Sequence, residues 1–118
     1  MPLPIHFKQL TEQITLIQFD ITEITGRSAG DMTKTISETF SPAIGTHILI
    51  DMNNITYIDS TGLGMLSLFL RMAGNTGGQL AIIGADPAIA DLIAVSGLHH
   101  RFQLYDALDD AIKDPRFQ

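Results

Sequence analysis

Cysteine and tryptophan are both missing from this 118-residue chain. Without cysteine it has no disulfide, no thiolate nucleophile and no Cys-ligated zinc or iron–sulfur centre. Such a composition suits a reducing compartment, and a cytoplasmic location is expected. Aromatics are scarce, six Phe and two Tyr, which leaves no evident platform for stacking bases. Basic residues are scarce too: seven Lys and Arg face 13 Asp and Glu, a formal net charge of −6. Phosphate backbones and anionic lipid repel such a surface. Nucleic acid is therefore not an expected partner, whereas a protein with a basic face is. No apolar run approaches the roughly 20 residues of a membrane span. No basic stretch followed by an apolar one opens the chain, so no secretory leader is expected.

What is present suffices for one domain over residues 1–118, because a chain of this size buries roughly two thirds of its unfolded surface. Phe7 and Leu10 give a weak apolar opening. The β-branched run Ile14 to Ile21 reads as a strand. Thr22 to Ser28 is turn-like, with Gly26 as a breaker. Met32, Ile36 and Phe40 recur four apart, predicting a helix over Ala29–Phe40 that Pro42 and Gly45 end. His47 to Met52 is a second strand, apolar on both faces in its middle, as in a sheet covered on both sides. A loop from Met52 to Ile58 follows, then a strongly apolar helix over Thr61–Ala73, stopped by Gly74, Gly77 and Gly78. Leu80–Ile83 is a third buried strand. Pro87 opens a helix that runs to about Val95 and ends before Gly97. Phe102–Leu104 reads as a short edge strand, and Asp106–Ile112 as a final helix with an acidic first turn. Alternating strands and helices predict an α/β fold with at least three parallel strands and an N-terminal antiparallel hairpin at one edge.

One string carries the chemistry: Ile58-Asp59-Ser60-Thr61-Gly62-Leu63-Gly64. It lies where a strand gives way to a helix, so hydroxyls stand at a helix N-terminus among free N–H groups and the positive end of the dipole. Such a place holds an anion, including a phosphate carried by its own serine. Ser60 is thus either an N-cap, in competition with Asp59, or a modifiable switch residue. Gly62 and Gly64 each lower helix propensity by roughly 1 kcal/mol. They serve either close packing on a neighbouring strand or close approach of a partner. The string is not a dinucleotide fingerprint, since the third glycine falls at Ser67, and no Gly-Lys-Ser/Thr sequence makes a P-loop. Ile58 and Gly62 flank Ser60, so there is no Gly-x-Ser-x-Gly elbow and hydrolase chemistry is poorly supported. His6, His47, His99 and His100 show no ligand spacing, and no metal or other cofactor is expected. Asp51 and Asp59 bracket a loop at a strand's carboxyl end, as a cation site or as solvated acids.

These residues resemble the STAS domain of bacterial anti-sigma-factor antagonists. The resemblance runs through Ile48-Leu49-Ile50-Asp51-Met52 and the Asp59 string. It continues through Gly78-Gln79-Leu80-Ala81-Ile82-Ile83-Gly84, Pro87 and Val95-Ser96-Gly97-Leu98, and covers roughly residues 46–112. It implies a mixed sheet of four to five strands with about four helices, largely packed on one side. It also implies a non-enzymatic partner switch. Ser60 would be the phosphoacceptor of a histidine-kinase-like ATPase that doubles as anti-sigma factor, and a serine phosphatase would reverse the modification. Asp59, Thr61, Gly62, Leu63, Glu23 and Thr25 would form the docking surface, with Met65 a further apolar contact. In the first half the family has a Gly-Glu-Leu-Asp-like run. Here Thr22-Glu23-Ile24-Thr25 stands in its place, with Thr22 for the glycine and Thr25 for the aspartate. The alternative within the same fold is a signalling scaffold or small-ligand-binding module that is never phosphorylated. A homodimer is left open.

Overall fold

The computed structural model describes residues 5–40, 45–97 and 103–117. Two strands open the chain, β1 (Ile5–Gln9) and β2 (Ile14–Phe19), followed by a two-residue strand β3 (Glu23–Ile24) and helix α1 (Gly26–Thr39). Strands β4 (His47–Asp51) and β5 (Tyr57–Ile58) lead into α2 (Ser60–Asn75). Then come β6 (Leu80–Ile83), α3 (Pro87–Ser96), β7 (Gln103–Tyr105), α4 (Leu108–Lys113) and a 3-10 turn over Pro115–Phe117.

The main sheet has the order β1-β2-β4-β6-β7. β1 pairs antiparallel with β2, and every other pairing is parallel. The expected mixed α/β sheet and its N-terminal hairpin are therefore present. Alternation along the central strands sends residues to two apolar layers. Ile17, Phe19, Ile48, Ile50, Leu80 and Ile82 face the larger one, with Ala29, Met32 and Ile36 of α1, Met65, Leu66 and Phe69 of α2, and Ile89 and Ile93 of α3. Leu16, Leu49, Ala81 and Ile83 face a smaller layer closed by Ala111 and Phe117. The three long helices thus lie on one side and α4 on the other.

The smaller layer is held by a polar clasp at the chain's end. Tyr105 Oη donates to Asp114 Oδ2 at 2.6 Å, and Arg116 forks the same carboxylate with Nε and Nη2. Partial burial, together with the Asp114 carboxylate, pushes the Tyr105 phenol up to about 12. The Arg116 guanidinium holds Asp114 well below the usual carboxylate range.

Several boundaries differ from the sequence expectation, for identifiable reasons. The turn-like stretch Thr22–Ser28 contains β3 and the start of α1, so Gly26 opens the helix instead of breaking it. The expected loop Met52–Ile58 contains β5, which pairs in parallel with β3 (Glu23 with Tyr57, Ile24 with Ile58). Strands of two residues are too short to show periodicity. Gly74 lies inside α2, which ends at Asn75, with Gly77 at φ +80° in the turn just after it. Ile21 falls outside β2, and the last helix begins at Leu108, with Asp109 and Asp110 in its first turn. The α3 ends stand as expected: Pro87 at its start, Asp86 Oδ1 accepting from Ala88 N–H at 2.8 Å, and Gly97 at φ +83° closing it. Pro42, His99, His100, Leu98 and Phe102 lie outside the described residues.

Candidate functional site

β3 and β5 form a short parallel ribbon beside the main sheet, and each strand runs directly into a helix: β3 into α1, β5 into α2. The ribbon therefore brings two helix N-termini together, and the residue between them is Asp59. Its N–H donates to the Ile24 carbonyl at 3.2 Å, extending the ribbon by one rung. Its carboxylate then serves both helices. Oδ1 accepts from Gly62 N–H at 2.9 Å, capping α2, and Oδ2 accepts from Gly26 N–H at 3.0 Å, at the start of α1. These N–H groups, Gly62 first and Gly26 next, hold the Asp59 carboxyl below the usual aspartate range, since hydrogen bonds to the ionised form favour it.

The N-cap of α2 is thus Asp59, and Ser60 is the first helical residue. The cap reading of Ser60 is corrected: the phase of β5 buries Ile58, which puts the next residue at the junction. Relieved of capping, Ser60 is exposed, and its hydroxyl meets no hydrogen-bond partner among the described residues. Thr61 is exposed as well and lies against Gly26, its Oγ1 3.5 Å from where a Cβ on that glycine would stand.

The two glycines of the string play different parts. Gly62 is buried, and a Cβ there would strike the Ile58 side chain and lie 2.5 Å from the Ile24 carbonyl oxygen. Close packing of α2 on the ribbon explains it. Gly64 is exposed, with nothing within 4 Å of where its Cβ would be, so packing does not explain it. It lies four residues after Ser60, on the same helix face.

The remaining candidates divide in the same way. Thr25 is the N-cap residue of α1, and its N–H donates to Ser28 Oγ at 3.2 Å. Glu23 is exposed, Leu63 is half-buried against the larger core layer, and Met65 is buried within that layer, which removes it from any docking surface. Asp20, Ile21, Thr22, Glu23, Thr25, Arg27 and Ser28 line an open groove of about 400 Å³ beside the ribbon. Asp51 does not join Asp59 in a cation site. It accepts from the backbone and side chain of Asn53 and from Gln18, and no group of three or more His, Asp or Glu able to hold a metal occurs among the described residues. Arg27 and Tyr57, both beside the junction, escape the sequence reading because neither sits in the motif string.

A profile of the STAS domain matches residues 8–111 of this chain. The chain belongs to the STAS domain family. The STAS domain is 30% identical over 60 residues to an anti-sigma F factor antagonist of Paenibacillus polymyxa, a stretch covering 51% of each chain. It spans about half the length of the curated relatives it matches. In structure it is similar to an anti-sigma-factor antagonist STAS domain protein from Planctomyces limnophilus, at 16% identity and a TM-score of 0.81, covering 92% of this chain and 94% of that one. It is also similar to the Bacillus cell-fate determinant SpoIIAA in its phosphorylated form, at 16% identity and a TM-score of 0.67, covering 92% and 96%. The expected family and its fold are therefore present, and no described helix is long and apolar enough to cross a membrane.

Proposed function

We propose that this STAS domain is a non-enzymatic, cytoplasmic anti-sigma-factor antagonist that works by partner switching. Unphosphorylated, it binds an anti-sigma factor that is also a histidine-kinase-like ATPase. Phosphorylated on Ser60, it is released, and a serine phosphatase restores it. The observation that carries this reading is Ser60 itself: exposed, without a hydrogen-bond partner among the described residues, and first in a 16-residue helix whose cap is supplied by its neighbour. A kinase reaches such a hydroxyl without undoing any native bond. The added phosphate brings about −1.5 to −2 charges to a helix N-terminus, where the helix dipole favours negative charge, so the fold tolerates it. The same charge, added to a chain already at net −6, alters the electrostatic match with the partner's face and opposes docking. The names of the Paenibacillus relative and of the phosphorylated Bacillus neighbour support the reading.

Around Ser60, the docking surface comprises Thr61, Leu63 and Asp59, with Glu23 and Thr25 across the ribbon, while Gly62, expected there too, is buried and holds α2 against the ribbon. Thr25 keeps the capping function that an aspartate would also perform but brings no charge. Titrating wild type, Ser60→Ala and Ser60→Asp against the histidine-kinase-like ATPases of the same organism tests the proposal. Ser60→Ala should bind as wild type, and Ser60→Asp about tenfold or more weakly, the scale of one unfavourable charge contact at an interface. Equal affinities for the two variants would overturn it.

A further inference from the structure

Arg27 is the second residue of α1, a fixed cation at the positive end of a helix dipole, and the first turn has no acid to offset it. That placement works against the helix. Nor does the guanidinium join either ion pair found among the described residues, His6 with Asp20 and Arg116 with Asp114. Arg27 lies exposed along the groove beside the ribbon, where Asp20 and Glu23 are the other charged residues. A residue that opposes its own helix and gains no ion pair in return points to function rather than to folding.

The register of the ribbon carries on past its last pair. Ile24 stands opposite Ile58, so the two N-cap residues, Thr25 and Asp59, come level, and after them Gly26 and Ser60, the first residues of the two helices. The helix starts touch: Thr61 Oγ1 is 3.5 Å from where a Cβ on Gly26 would stand, and Gly26 N–H donates to the Asp59 carboxylate. Arg27 lies two residues before the buried Ala29, and Ser60 two before the buried Gly62. Two residues are a little over half a turn, so both lie on outer faces, and both are exposed. Packed helices run about 8–10 Å apart, a gap that an extended arginine and a phosphoserine close from its two sides. Gly26 puts no side chain between them. In the first turns of the two helices, residues 26–29 and 60–63, Arg27 is the one basic residue.

We propose that Arg27 is the internal counter-ion of phosphorylated Ser60, its guanidinium forking two phosphate oxygens across the junction. The proposal rests on the partner-switch reading and adds how its phosphorylated state is held. A phosphate brings about −1.5 to −2 charges and three acceptor oxygens. Glu23 offers a single charge, and Asp20 already meets His6. The planar fork of arginine matches a phosphate two-pronged, which a lysine does not. The phosphate also offsets the lone cation at the start of α1.

The experiment needs no kinase: phosphoserine is installed at position 60 during translation, in wild type, Arg27→Gln and Arg27→Lys. Phosphorus NMR follows the second ionisation of the phosphate, and nitrogen-resolved proton spectra follow the Arg27 Nε–H. The other charged groups around the junction, Asp59, Glu23 and Asp20, are the same in all three proteins. The phosphate should ionise about one pH unit lower in wild type than in Arg27→Gln, the low end of what an adjacent arginine does to a neighbouring acid. Arg27→Lys should fall between, and the Arg27 Nε–H signal should move on phosphorylation. Without phosphate, Arg27→Gln should melt at or slightly above wild type, since it removes a cation from a helix start. Equal ionisation in wild type and Arg27→Gln would overturn the counter-ion and leave the switch standing. A lower value in wild type with an unmoved Nε–H signal would make Arg27 a distant charge, and would overturn it as well. A Ser60 that carries no phosphate in the organism's own cells would overturn the switch, and the counter-ion with it.

Discussion

Gly62 and Gly64 look alike in the sequence and behave as opposites in the fold. Gly62 exists because the first turn of α2 passes against Ile58 and the Ile24 carbonyl with no room for a methyl group. Gly62→Ala should destabilise the protein by about 1–3 kcal/mol, as overpacking does when one of the colliding atoms is backbone. Gly64 meets no such neighbour, so Gly64→Ala should stabilise the helix by about 0.5–1 kcal/mol through propensity alone. Urea denaturation of the two variants checks both signs. If Gly64 is kept open for close approach of a partner, the stabilised variant should also bind the ATPase more weakly, separating folding from docking at one residue. The sequence raised both explanations for the pair and had no means of assigning one to each. Which glycine faces the ribbon depends on where the helix begins, and that depends on whether Asp59 or Ser60 caps it.

At the scale of elements, the junction of β3–α1 with β5–α2 is the device that makes the site. One carboxylate accepts from the starts of two helices. Because native hydrogen bonds hold the Asp59 carboxyl below its ordinary range, ionisation of this group favours the folded state. That contribution is complete above the ordinary aspartate value and is lost as pH falls through the lowered native one. Asp59→Asn keeps one acceptor for Gly62 but presents an NH2 group to Gly26 N–H, two donors facing each other. The variant should therefore melt below wild type at pH 7, and the gap should narrow as pH falls below the ordinary aspartate value. Thermal melts at pH 7 and well below that value check it, and a gap independent of pH would contradict the assignment. The junction was only half legible beforehand. The apolar pattern announced α2, but α1 seemed to begin at Ala29 because Gly26, Arg27 and Ser28 contribute no apolar residue to its stripe. Two-residue strands leave no periodic trace, so the ribbon that joins the helices was invisible.

For the whole molecule, alternation of buried strands with amphipathic helices was enough to indicate the α/β class, the parallel core and the antiparallel opening hairpin. The continuous apolar run of β4 even signalled a sheet covered on both faces. What covers the second face was harder to see. The cover is a short helix contributing Ala111 and a terminal turn contributing Phe117, held by the Tyr105–Asp114–Arg116 clasp. Long-range polar contacts of that kind carry no local signature. The candidate site divides along the same line: Asp59, Ser60 and Gly62 lie in one string and were readable, whereas the ribbon register that sets Glu23 opposite Tyr57 was not. The central claim remains that Ser60 is a reversible phosphoacceptor. Its most direct test is intact-mass analysis with site mapping of the protein isolated from its own cells across growth states. The account predicts a single phosphate on Ser60 that appears in some states and disappears in others; an unmodified Ser60 in every state would contradict it.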